Sequence, residues 1–173
     1  MAQIDQIQIK FVAVEDRLLL RVSSSGDLEF RFWMTRRFVK LIWPALGKML
    51  KETPRIQTQA SADAKRELLA FEHDKAVNDS DFKTPYKDTP RTLPLGEQPV
   101  VLAKMQMRRK EDGSTIMSLG PEEGAGIDLA LNDGLLHSLA ELISNGARIA
   151  EWELSSPIET GSGVSTPDDV TMN

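Results

Sequence analysis

The sequence predicts an α+β protein: antiparallel sheets built from two pseudo-repeated β-hairpin–strand–helix units sharing one core, with an extra helix between them. Three observations predict it. Apolar residues alternate with polar ones over short runs, which marks half-buried strands. Two of those runs pass directly into stretches of helical period, at Thr35 and again at Asn132. The two blocks stand 97 positions apart and keep the same order of elements, the signature of an internal repeat.

In the first block, Ile7, Ile9 and Phe11 alternate with Gln6, Gln8 and Lys10. Val14 to Arg17 is a turn into a second strand, Arg17 to Val22, and Ser23 to Asp27 is a loop of turn-forming residues. A third strand, Leu28 to Met34, leads to a helix over Thr35 to Leu50, where Thr35 can cap the first free N–H groups. Pro44 lies inside this helix and, lacking a backbone donor, is expected to kink or break it.

Ser61 to Val77 reads as a separate helix, capped by Ser61, with Ala64, Leu68 and Phe71 as its inner stripe. Asp79 to Pro99 carries Pro85, Pro90, Pro94 and Pro99 and is expected to be an extended connector. The second block holds strands at Val100 to Met107, Ser114 to Leu119 and Gly126 to Leu131, with Asp112-Gly113 as a tight turn. Its helix starts at Asn132 and is expected to stop at Asn145-Gly146, with a final strand in Arg148 to Leu154. The chain therefore divides into residues 1–55, 56–99, 100–154 and a tail, 155–173, expected to be disordered because it has little to bury.

The repeat can be followed by residue. Adding 97 takes Phe30, Phe32 and Met34 to Ile127, Leu129 and Leu131, one face of a strand in each copy. It takes Phe38, Val39, Ile42 and Leu46 to Leu135, Leu136, Leu139 and Ile143, one stripe of a helix. No identities occur between the two helical blocks, so either a duplication or two unrelated strand–helix units accounts for the pattern.

At 173 residues, with 27% charged and 40% hydrophobic residues, the composition suits a globular chain with a sizeable core. The absence of cysteine excludes disulfides, thiolate metal sites and a thiol nucleophile. The opening residues lack a signal-peptide pattern and no apolar run approaches the roughly 20 residues of a membrane span, so a bacterial-type cytoplasmic location is expected, with no membrane partner. Residues 1–110 hold 20 Lys and Arg against 14 acids; residues 111–173 hold one Arg against 12, so +6 and −11 give the net −5. Such polarity fits a basic surface with an acidic regulator, two mutually attracting halves, or simply an acidic tail and solvated loops.

Catalytic constellations are scarce. His73 lies in Glu72-His73-Asp74, whose neighbours on a helix diverge by about 100° and cannot share one ion. His137, after Leu135 and Leu136, reads as a helix-flank residue. No serine sits in a nucleophile elbow, and Glu122-Glu123 lacks apolar neighbours that raise a carboxyl pKa. The expectation is a protein without catalytic residues, cofactor or metal.

The most suggestive patch is Glu29 to Phe38. If Phe30, Phe32 and Met34 face inward, Arg31 and Trp33 share the outer face, beside Arg17, Leu19 and Arg21 of the neighbouring strand. Arg17, Arg21, Arg31, Trp33, Arg36 and Arg37 thus form a candidate face. Arginines around an indole suit a protein interface, and equally a nucleic-acid strand whose phosphates they follow while a base stacks on Trp33. Arg108-Arg109-Lys110 reads as a solvated hairpin tip.

The order of hairpin, strand and helix, given twice over residues 4–145, resembles the Whirly-type fold of single-stranded-DNA-binding transcriptional regulators. The chain departs from it with three strands per unit where that fold has four, and with Ser61 to Val77 inserted. The resemblance implies binding of single-stranded nucleic acid. Separately, Glu15-Asp16-Arg17-Leu18-Leu19-Leu20-Arg21 and the later Phe30-Arg31-Phe32-Trp33-Met34-Thr35-Arg36-Arg37 are similar to the opening of a bacterial protein family of like length with no assigned activity. The residues favour a non-catalytic binding or assembly module acting through protein contacts, with a protein partner or itself as a homo-oligomer; the alternative is a binder of single-stranded DNA or RNA.

Overall fold

A computed structural model describes residues 3–155; the expected disorder of the tail falls on positions outside the described residues, Ser155 excepted. The chain is α+β, with two sheets and four helices among the described residues. Strands β1 (Ile4–Val12), β2 (Arg17–Ser24) and β3 (Leu28–Thr35) form an antiparallel meander. Helix α1 (Arg36–Lys51) follows, then the single turn α2 (Pro54–Gln57) and the long α3 (Ala62–Asp79). The short β4 (Val100–Val101) lies parallel to β3 and completes a sheet of order β1-β2-β3-β4. Strands β5 (Lys104–Arg109), β6 (Thr115–Gly120) and β7 (Ile127–Leu131) make a second antiparallel sheet, and α4 (Asp133–Ile149) follows it.

The caps explain where the helices begin. Thr35, Ser61 and Asn132 each accept a hydrogen bond from the backbone N–H three residues on, Phe38, Ala64 and Leu135. Alternation then decides which residues are inside. Leu18, Leu20 and Val22 of β2, with Phe32 and Met34 of β3, are buried under Phe38, Ile42 and Leu46 of α1, in one cluster with Leu129 and Leu131 of β7 and Leu136, Leu139 and Ile143 of α4. One hydrophobic core therefore takes side chains from both blocks, and each fully buried Leu or Phe contributes roughly 1.5–3 kcal/mol.

The structure corrects several expectations. Helix α1 runs through Pro44 unbroken: Pro44 lies on the exposed side, where the Lys40 carbonyl that loses its partner can bond water. Val100 to Met107 is two strands, and its first two residues join the first sheet. Helix α4 does not stop at Asn145-Gly146 but continues to Ile149, so no final strand forms in 148–154. Gly146 is buried mid-helix, where a Cβ would stand 3.1 Å from Ile9 and Leu18 side-chain atoms; the missing side chain lets α4 approach the first sheet closely. The expected inner stripe of α3, Ala64, Leu68 and Phe71, is shifted: Leu69 and His73 are the buried residues, Leu68 packs partly buried against the core, and Phe71 is 59% exposed.

Two further corrections concern charged and polar side chains. Arg109 is no free hairpin tip, since its guanidinium donates to the Asp133 carboxylate at 2.8 Å and to the Met49 carbonyl at 3.1 Å, tying β5 to α1 and α4. His137 is no flank residue; it is buried against α3.

Candidate functional site

The outer face of the first sheet is set by register. Across β1, β2 and β3 the rows are Gln6–Ser23–Glu29, Gln8–Arg21–Arg31 and Lys10–Leu19–Trp33, and β4 extends the last row with Val101. Arg17 sits opposite Thr35 in the next row. The structure thus brings Arg17, Arg21, Arg31 and Trp33 onto one face. Arg36 and Arg37 belong elsewhere, as exposed residues in the first turn of α1.

The centre of this face is Glu29, whose side chain is only 1% exposed. Arg21 donates to it through Nε (3.1 Å) and Nη2 (3.2 Å), Arg31 donates through Nε (2.5 Å), and the Tyr86 hydroxyl donates at 3.2 Å. Burial alone would raise the Glu29 carboxyl pKa; the hydrogen bonds and charges of Arg21 and Arg31 outweigh burial and hold it below the usual carboxylate range. Burial likewise works against the charge on Arg21, but its bonds to Glu29 and Asp88 raise its pKa.

The segment following α3 closes one end of the face. Its Tyr86 is buried, the Arg21 guanidinium lies 4.1 Å above the Tyr86 ring, and Asp88 meets Arg21 Nη2 at 2.7 Å. Lys87 N donates to the Gln6 side chain at 3.0 Å, and Arg91 bridges the Tyr86 hydroxyl and Asp5. Thr92 then exchanges backbone hydrogen bonds with Asp27 and Glu29. Residues 85–92 are thus strapped across the strands by side chains that no local pattern announces.

The consequence is a division of the face. Arg21 and Arg31 are committed to a buried carboxylate and offer little to phosphates. The open end carries the half-buried Leu19 and Trp33 and the 43% exposed Val101, beside Lys10 and Arg17. Sequence reasoning missed Glu29 as the organiser. The signal was present, because Glu29, Arg31 and Trp33 alternate on one strand and so share a face. Tyr86, Asp88 and Arg91 gave no such signal.

A second polar centre lies between α3 and α4. The Nδ1 atoms of His73 and His137 are 3.2 Å apart, and His73 Nε2 lies 3.3 Å from the Glu141 carboxylate. His137 is 2% exposed, and its Nε2 has no partner among the described residues. Burial first, and the neighbouring His73 second, lower its pKa to about 4, while Asp133 acts weakly the other way. The Ser80 and Ser138 hydroxyls meet at 2.6 Å on the same helix pair. Among the described residues no group of three or more His, Cys, Asp or Glu is placed to hold a metal ion, and no helix is long and apolar enough to cross a membrane. Comparison with protein-family models, with curated proteins and with solved structures returned no match to this chain.

Proposed function

We propose that this chain is a non-catalytic binding or assembly module that works through protein contacts, with the open end of the first sheet's outer face as the contact and a second copy of the chain as its first partner. The observation that carries this reading is Glu29. With Asp88 as the second anion on Arg21, it holds Arg21 and Arg31 in ion pairs that a phosphate strand would have to break, and it leaves an apolar row, Leu19–Trp33–Val101, with a polar rim. Tryptophan at the centre of a small apolar patch with arginine beside it is the composition of interface hot spots. Sedimentation velocity over a range of micromolar concentrations tests it: the natural chain should form a defined oligomer, and Trp33→Glu should shift it to monomer while its circular dichroism stays unchanged. A natural chain that stays monomeric throughout overturns the homo-oligomer reading.

One observation favours nucleic acid as a second reading, though through other residues. Exposed Arg37, Lys40, Lys48 and Lys51 recur at helical spacing on α1, Arg36 adjoins them, and α1 contains no acid. Of these five α1 cations only Lys48 has an acidic partner among the described residues, Glu52 at 3.7 Å. A labelled single strand should then shift at low salt, with affinity falling steeply as salt rises, and Arg36→Ser with Arg37→Ser should weaken it. No shift at low salt sinks this reading.

A further inference from the structure

The last described residues lead the chain onto α1. The Trp152 indole donates to the Asp16 carboxylate at 3.2 Å, and the next residue, Arg17, pairs with Thr35, the N-cap of α1. Three residues after Trp152, the Ser155 carbonyl accepts a hydrogen bond from the indole of Trp43, midway along α1. From Thr35 to Trp43 the helix rises about 12 Å. Residues 152–155 therefore pass along α1 from its N-terminal end towards its C-terminal end.

Trp43 stands at the border between the buried side of α1 and its cations. Arg36 precedes it by seven residues and lies about 20° from it around the helix axis, and Lys40 and Lys51 lie within about 80°. All three cations are exposed, and none has an acidic partner among the described residues. Arg37 and Lys48 lie further round the exposed side. The sequence past Ser155 has the opposite charge: residues 156–173 hold Glu159, Asp168 and Asp169 and no Lys or Arg. From Trp43 to Lys51 the helix rises about another 12 Å. Four extended residues span about 13 Å, so Glu159 is the first charge that can stand beside Lys51. Asp168 follows nine residues later, a reach of up to about 30 Å. Lys40 and Arg36 lie about 16 and 22 Å back along the helix from Lys51 and so fall within that reach.

We propose that residues 156–173 dock on this flank of α1, with Glu159 against Lys51 and the two aspartates against Lys40 and Arg36. The chain thereby covers its own cation stripe, and an anionic ligand of α1 must displace the acidic segment. A single exposed ion pair is weak. The covalent tether makes these pairs intramolecular, at an effective concentration in the millimolar range. The docking uses none of the contact residues of the outer sheet face and stands or falls independently of them.

The natural chain has no cysteine, so Thr171→Cys accepts a single nitroxide label, and broadening of ¹⁵N backbone amides in the full chain reports where that label sits. In low salt the amides of Arg36, Lys40 and Lys51 should broaden, and high salt should restore them because exposed pairs are screened. Lys40→Glu with Lys51→Glu should abolish the broadening. Arg37→Glu with Lys48→Glu, an equal change of charge further round the helix, should preserve it. The amide spectrum of each variant shows directly that its fold is kept. No broadening on α1 in low salt, broadening that survives high salt, equal loss in both variants, or broadening that arises between separate molecules in a mixture would each overturn the assignment.

Discussion

Two buried polar centres among the described residues handle charge in opposite ways. Glu29 keeps its charge: two guanidinium groups and a phenol donate to its carboxylate, and its pKa is lowered. His137 gives its charge up: one ring nitrogen faces another histidine, the other has no partner among the described residues, and its pKa is lowered to about 4. Both shifts are downward, yet for an acid this favours the ion and for a base the neutral form. The difference teaches that burial sets only the cost of a charge; the neighbours decide whether it is kept. The first centre fixes the sheet face and the connector across it, whereas the second fastens α3, a helix with only Leu69 and His73 buried, to α4.

The largest expected effect breaks the first centre. Glu29→Ala leaves Arg21 and Arg31 without their shared anion and removes the acceptor of Tyr86, so the strap over the sheet loosens with it. Loss of one partner from a buried ion pair costs about 3–5 kcal/mol, and since both arginines can turn partly to water, the lower end is expected. Urea unfolding followed by circular dichroism measures it. A loss below 1 kcal/mol would show that Glu29 behaves as a surface residue and that the two centres do not differ as argued.

The second centre is sharpened by pH. An unfolded His137 takes up a proton below its ordinary pKa of 6.5, while the folded one waits until about 4. Its contribution is therefore complete above pH 6.5 and is lost as pH falls towards 4, by about 3 kcal/mol in all. The Glu29 contribution behaves differently: it is present above the ordinary carboxyl pKa of 4.5 and is lost only below that. Stability should thus fall in two stages on acidification, the His137 stage first. His137→Leu removes the unpartnered nitrogen but also leaves the buried His73 Nδ1 without its partner, so it should cost about 1–3 kcal/mol at pH 7 and flatten the stage between pH 6.5 and 4. An unaltered slope in that variant would mean that another group titrates there.

What could be read from the sequence follows the range over which each signal acts. Strand alternation and the caps Thr35, Ser61 and Asn132 are local, and they placed the α+β order and the starts of three helices. The α3 face was misread because Leu68 and Leu69 are neighbours, and the choice between them depends on His73 finding His137 64 positions away. Tyr86 looked like connector for the same reason: its burial needs Glu29, 57 positions away. The candidate face was half legible. Alternation put Arg31 and Trp33 together, but the helix start turned Arg36 and Arg37 away from them, and the arginines counted as cations were already answered by Glu29 on the same strand face.

The smallest effect separates arginines by what they touch. Arg31 donates to buried Glu29 at 2.5 Å, whereas Arg37 stands exposed on α1. Arg31→Gln keeps much of the side chain but removes one charged donor from the carboxylate. Because Arg31 is one-third exposed and Arg21 still holds Glu29 through two bonds, about 1 kcal/mol is expected, below the usual range for a buried charged hydrogen bond. Arg37→Gln should stay within about 0.5 kcal/mol of the natural chain, as surface substitutions away from such contacts do. Thermal unfolding at two salt concentrations distinguishes the cases: the Arg31 loss should persist in high salt, since a pair with a buried partner is poorly screened. Equal losses for the two variants, both vanishing in salt, would place Arg31 with the solvated cations and return the whole arginine face to the reach of an anionic ligand.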